Sequence, residues 1–293
     1  MAEYSYIILT DSASDLKAET AAELELEVLP LSLHIGGAVY RNYLDGRELD
    51  TVDFYHQLRE GGILPTTSAI NAAEWAAAME PHLRNGEDIL VLAFSSGLSA
   101  TYQSAQIAAE DLSAQYPDRK IKVIDTLCAS LGQGLLVYLA AKRRQAGASF
   151  VEAIQFVLDT RPHLCHWFTV DDLGHLRRGG RISGAIALLG TLLGIKPILH
   201  VDDEGHLIPM GKVRGRRAAI AALVEHMTES GIDLAQQEIF ISHGDCLADA
   251  QELASQIQAR FPVQNIYINF VGPVIGAHSG PGTLALFFLG SAR

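Results

Sequence analysis

Aromatic side chains are scarce in this sequence: Phe, Trp and Tyr supply 7% of its 293 residues, although 48% of the chain is hydrophobic. The apolar material is therefore overwhelmingly aliphatic, enough for a large core, and a disordered or low-complexity chain is excluded. Basic residues are scarce as well. Lys and Arg number 22 against 34 Asp and Glu, a formal net charge of −12, which repels phosphate backbones and anionic headgroups and argues against a nucleic-acid partner. Cysteines number three, Cys128, Cys165 and Cys246, widely spaced and outside any Cys-x-x-Cys pair. They exclude a disulfide framework and read as reduced packing residues. Long hydrophobic runs are missing too. The longest uncharged apolar stretch, between Arg181 and Lys196, is interrupted by Gly184, Gly190 and Gly194. It falls short of the roughly 20 residues a membrane helix needs, so no stable membrane insertion is expected. The start, MAEYSYIILTDS, has no basic segment followed by an apolar stretch and a cleavage site, and a cytoplasmic protein is expected.

What is present alternates. Tyr6 to Thr10 is an apolar run that breaks at Asp11-Ser12-Ala13-Ser14-Asp15 and continues into the helix-favouring LKAETAAELE. Ile89 to Phe94 repeats the pattern, ending in Ser95-Ser96-Gly97-Leu98-Ser99 before TYQSAQIAAEDLSAQ; Ile121 to Asp125 repeats it again before an apolar helix from Ser130 towards Ala146. Such alternation predicts a mainly parallel sheet flanked by helices, with ligands at the carboxyl ends of its strands. Asn71 with Glu74 opens a helix, and Ser149 with Glu152 forms a capping box opening another, which Pro162 stops. Two domains are expected, residues 1–162 (α/β) and 163–293 (α+β with a mixed sheet). In the second, strands Trp167 to Val170, Ile198 to Val201 and Leu207 to Val213 are expected, with Asp202-Asp203-Glu204-Gly205 as a hairpin turn. Helices Arg217 to Glu229 and Leu247 to Arg260 alternate with strands Ile239 to His243, Ile266 to Phe270 and Leu284 to Leu289.

Several clusters carry candidate chemistry. Asp11, Ser12, Ser14 and Asp15 sit at a strand end, where paired carboxylates serve a metal or a phosphotransfer; alternatively, Ser14 or Asp15 simply caps the next helix. Ser95, Ser96, Ser99 and Thr101 place hydroxyls beside the free N–H groups of a helix start, which suits an uncleaved anion such as a carboxylate or an unliganded serine cap. No Gly-x-Ser-x-Gly elbow is present, which weakens a hydrolase reading. Thr66, Thr67 and Ser68 form a second hydroxyl cluster, expected in a loop. His278 is flanked by Gly272, Gly276, Gly280 and Gly282 and is read as a loop residue, structural or functional. His163, Cys165 and His166 lie close together, but no second cluster completes a metal site, so no metal is expected. Arg177, Arg178, Arg181, Lys212, Arg214, Arg216 and Arg217 concentrate the scarce positive charge, as an anion site, an acidic-partner surface or a solvated face.

Seven segments together give the chain a resemblance to the DegV family, fatty-acid-binding proteins that serve as acyl-carrying subunits of a bacterial fatty-acid kinase. They are DSASDL at Asp11, TTS at Thr66, SSGLSATY at Ser95, VIDT at Val123, DDLGHLRRGGRIS at Asp171, GIKPIL at Gly194 and GPVIGAHSGPG at Gly272, spread over nearly the whole chain. Ala100, and Ala69-Ile70, stand where the family usually has Gly and Gln-Pro. The resemblance implies two α/β domains with a long-chain fatty acid such as palmitate buried between them. Its carboxylate would be held by Thr67, Ser99 and His278, with Ser68, Ser96 and Gly97 as supporting loop, and Ile182 to Leu193 would line the acyl tunnel. It further implies a carrier rather than an enzyme, without a cofactor, whose ligand is phosphorylated by a separate kinase; no Walker-type phosphate loop is present. Arg181 and Arg214 would then face the acyl phosphate or the kinase. Two other readings are a serine esterase using Ser99 and His278, and a small-molecule phosphotransferase using Asp11 and Asp15.

Overall fold

A computed structural model of the protein describes residues 5–61, 64–182 and 194–293. The first part of the chain runs β1 (Tyr6–Asp11), α1 (Ala18–Glu23), β2 (Leu26–Leu29), β3 (Ser32–Ile35), β4 (Ala38–Arg41), α2 (Thr51–Glu60), β5 (Thr66–Ser68), α3 (Ala72–Arg84), β6 (Asp88–Ala93), α4 (Thr101–Gln115), β7 (Ile121–Asp125), α5 (Leu131–Gln145) and α6 (Phe150–Thr160). The second runs β8 (Leu164–Thr169), α7 (Gly174–Arg178), β9 (Ile195–Val201), β10 (Leu207–Arg214), α8 (Arg216–Ser230), β11 (Glu238–His243), α9 (Leu247–Arg260), β12 (Asn265–Phe270), α10 (Pro273–Ser279) and β13 (Leu284–Leu289).

The apolar runs of the first part form a parallel sheet in the order β2-β1-β6-β7. β6 shows why: Ile89 to Ala93 are all buried, the signature of a strand covered on both faces. The second part builds a six-stranded mixed sheet, β10-β9-β8-β13-β11-β12, parallel only at β11–β12. Its hairpin turn is the expected one, with Asp202 Oδ1 accepting from the backbone N–H of Glu204 at 3.0 Å and His206 at 2.8 Å. Both helix starts expected from sequence close as reciprocal capping boxes, Asn71 with Glu74 and Ser149 with Glu152.

Three corrections follow. A small antiparallel sheet, β4-β3-β5, was not expected, and it turns the supposed Thr66–Ser68 loop into a strand paired with β3, Leu33 opposite Thr67. His278 lies in the last turn of α10, which Pro273 opens at its first position, rather than in a glycine loop. Neither Ser14 nor Asp15 caps α1. Its N-cap is Lys17, with no side-chain bond, while Asp11 caps the intervening 3-10 turn through the Ala13 N–H.

Helix α5 sits between the two main sheets and is buried on every side through its first two turns. Gln133 faces the parallel sheet, donating to Thr10 Oγ1 at 3.0 Å. Two glycines set the spacing. A Cβ on Gly132 would lie 2.1 Å from His166 Nε2 of the mixed sheet, and one on Gly134 would lie 2.5 Å from the Ser14 carbonyl. Further ties cross the same seam: Ser95 Oγ donates to the Gly205 carbonyl at 2.9 Å, and Arg293 donates to the carbonyls of Leu127, Arg161 and Asp202. Among the described residues no helix is long and apolar enough to cross a membrane.

Candidate functional site

A cavity of about 240 Å³ lies in the seam between the sheets. Phe94, Leu98 and Ala129 line it from the first part of the chain, and Phe168, Ala285 and Phe287 from the second. The last three share one face of the mixed sheet, because Phe168 pairs with Ala285 and Phe287 lies two residues further along β13. Of the segment expected to line an acyl tunnel, Ile182 is buried, and residues 183–193 lie outside the described residues.

One part of the wall is polar. Thr67, held by the pairing of β5 on β3, places Oγ1 2.8 Å from His278 Nε2, although the two residues are 211 positions apart in sequence. The Nδ1 edge of the same ring is covered by Gly179, where a Cβ would lie 2.3 Å away. Burial pushes the imidazole down to about 4, and the nearby Arg181 cation pushes in the same direction, so the ring is neutral at physiological pH. Ser99 precedes α4. Its Oγ lies 2.8 Å from Thr101 Oγ1 and accepts from the Thr101 N–H at 3.2 Å. Arg181 bridges the two sides, donating from Nε to the Leu98 carbonyl at 3.2 Å and from Nη1 to the Gly179 carbonyl at 2.5 Å.

Thr67, Ser99, Arg181 and His278 thus share the cavity wall, drawn from four distant segments. Ser68, Ser96, Gly97 and Arg214 are not among its lining residues. The Ser68 hydroxyl lies 2.7 Å from His34 Nε2, and the Ser96 N–H donates to Asp125 Oδ1 at 3.2 Å. Gly97 abuts the Gly205 carbonyl, and Arg214 is exposed at the end of β10. Four hydroxyl-bearing lining residues escaped sequence reading: Ser130 at the start of α5, Ser242 on β11, Ser279 at the end of α10 and Thr283 just before β13. A serine before a helix or inside an apolar strand carries no signal of what it will face.

The arrangement disfavours catalysis by the residues first considered. His278 Nε2 is engaged by Thr67 and Ser99 Oγ by Thr101, so no nucleophile–base hydrogen bond joins them. Asp11 is fully buried, accepting from Ala13 N at 3.0 Å and Phe94 N at 2.8 Å, and burial pushes it up to about 6. Asp15, also buried, accepts from Ser130 Oγ at 2.6 Å. Both carboxyls brace the loop between β1 and α1 instead of opening onto solvent. His163, Cys165 and His166 do not converge: His163 Nδ1 meets the Gly290 carbonyl, and the next two side chains alternate across β8. Among the described residues no group of three or more His, Cys, Asp or Glu is arranged to hold a metal ion.

Known proteins share this architecture along its whole length. A DegV domain-containing protein of Clostridium perfringens (strain 13 / Type A) is 45% identical over 288 residues, covering 98% of each chain. The crystal structure described as a DegV lipid-binding protein from Thermotoga maritima superposes with a TM-score of 0.87 at 29% identity, over 99% of each chain. A structure from Thermus thermophilus, described by the fatty-acid binding of a DegV family protein, gives a TM-score of 0.88 at 30% identity, covering 97% of this chain and 98% of that one. With residues 5–291 matching the family described as "Uncharacterised protein, DegV family", the chain belongs to the DegV family.

Proposed function

We propose that the protein binds a long-chain fatty acid in the cavity between residues 1–162 and 163–293, with its carboxylate at Thr67, Ser99 and His278. The observation that carries this reading is a largely apolar cavity whose wall is polar at Thr67, Ser99, Arg181 and His278. The described fatty-acid binding of the Thermus relative supports it. The two parts of such a ligand do different work. At about 0.8 kcal/mol per buried methylene, some fourteen methylenes offer on the order of 11 kcal/mol before ordering costs, so the tail supplies affinity. The head supplies orientation. An arriving carboxylate accepts from the Thr67 and Ser99 hydroxyls, and its charge favours a proton on His278, turning a neutral contact into a charge-assisted one.

The protein acts, in this reading, as a carrier. A buried tail and a carboxylate held at the wall suit presentation of the acid to a separate kinase that forms the acyl phosphate, as the family resemblance implies. Arg181 beside the carboxylate and the exposed Arg214 are the cations proposed to meet the acyl phosphate or that partner. Thr67→Val keeps the shape of the side chain and removes its hydroxyl. Palmitate affinity measured by calorimetry is expected to fall about tenfold, the worth of one hydrogen bond to a charged group. An unchanged affinity in the folded variant contradicts the assignment of the head group to this end of the cavity.

A further inference from the structure

The cavity has a second polar feature. Ser130 and Ser242 line it with their Oγ atoms 3.0 Å apart, one at the start of α5 and the other on β11. Both residues are buried, and Ser130 is held in place at a cost. Its backbone has φ 53 and ψ −147, a region where a residue other than glycine is strained. Its hydroxyl donates to Asp15 Oδ2 at 2.6 Å, and Asp15 is anchored in turn by Asn269, which donates to its carbonyl at 2.8 Å. An unsubstituted acyl tail gains nothing from these hydroxyls, since alanine at either position would offer it apolar surface without desolvating an oxygen. Ser279 adds a third hydroxyl to the same wall, buried and without a hydrogen-bond partner among the described residues.

Counting protons specifies the partner. Each serine has one. With Asp15 ionised, the Ser130 proton lies on it, the Ser242 proton closes the 3.0 Å contact and Ser242 is left to accept; with Asp15 protonated, the hydrogen bonds can run the other way and leave Ser242 a proton to donate. A hydroxyl, donor and acceptor at once, meets either arrangement, whereas a double bond meets neither. The position along the chain follows from α10. Gly272, whose Cβ would lie 2.5 Å from Asp15 Oδ1, stands just before that helix, and His278 lies in its last turn. At 1.5 Å per residue the six residues from Gly272 to His278 rise roughly 9 Å, so the serine pair, at the other end of α10 from His278, lies beside the tail rather than at the carboxylate.

We propose that Ser130 and Ser242 recognise a hydroxyl carried at mid-chain, so that the protein selects mid-chain hydroxylated long-chain fatty acids over unsubstituted ones. The proposal rests on the fatty-acid reading above, and its test separates the two. Delipidated protein is titrated with stearic acid and with hydroxystearic acids bearing the hydroxyl either at mid-chain or next to the carboxylate. The wild-type chain is expected to bind the mid-chain hydroxy acid about tenfold more tightly than stearic acid and to show no such gain for the other isomer. Ser242→Ala, a small change that leaves the strained Ser130 backbone alone, is expected to erase the preference, so that the mid-chain hydroxy acid and stearic acid bind it equally. Equal affinities in the wild type, or a preference that persists in Ser242→Ala, overturn the proposal but leave the fatty-acid reading intact. Binding of none of the acids overturns both.

Discussion

Gly132→Ala is expected to destabilise the protein by about 3 kcal/mol, read from urea unfolding, although helix propensity alone predicts a gain of about 1 kcal/mol. The sign is decided by packing. The new methyl would lie 2.1 Å from His166 Nε2, 2.4 Å from His166 Cδ2 and 2.9 Å from Phe287 Cδ1. His166 has little room to give way: its Nδ1 lies 3.0 Å from the Leu164 carbonyl and its ring packs edge-on against Phe287. The methyl therefore pushes α5 away from the mixed sheet and strains the seam that holds the cavity. Truncating the opposing ring tests the cause. In the double variant Gly132→Ala with His166→Ala, the loss is expected to be smaller than the sum of the single losses by at least about 1 kcal/mol. Additive losses, or a Gly132→Ala protein more stable than the wild type, contradict the close approach.

The second large effect is expected at Asp15, as a function of pH. Burial is the main cause that pushes its carboxyl from 3.8 up to about 8; the Ser130 hydroxyl and the Gly272 N–H pull it down, and Asp11 adds a further push upward. Between about pH 4 and about pH 8 the native protein therefore holds a proton that the unfolded chain has released. This contribution to stability is complete below about pH 4 and is lost as pH rises towards 8, at up to about 1.4 kcal/mol per pH unit. Asp15→Asn has the same outline and no proton to lose. It is expected to match the wild type near pH 4 and to exceed it at about pH 8 by a few kcal/mol in denaturant unfolding. Asp11, pushed up to about 6 by the same burial, titrates in both proteins and cancels from the comparison. Parallel stability curves for the two proteins contradict a protonated native Asp15.

Much of the scaffold was legible because its strands are apolar runs closed by turn residues, and local chemistry suffices for those. Ile121–Asp125 and Leu284–Leu289 fall on the strands read from sequence, and Leu247–Arg260 is the helix read from sequence. The small sheet was not legible. Its strands are three or four residues long, and β4 is largely exposed, so neither length nor burial marks them. The site was less legible still. Thr67 and His278 meet only because β5 docks on β3 and α10 packs near both, a juxtaposition across 211 residues that no local pattern encodes; family resemblance, not spacing, singled them out. Ser130 and Ser242 were invisible for the same reason, and Asp15 reads from sequence as one of a carboxylate pair or as a helix cap because its true partner lies 115 residues away.

The central claim, that the cavity is a fatty-acid site, is tested most directly by mass spectrometry of lipid extracted from the purified protein and from delipidated protein reloaded with palmitate. The account predicts close to one equivalent of long-chain fatty acid per chain, displaced from the purified protein by added palmitate. A protein that carries no fatty acid and takes up none contradicts it.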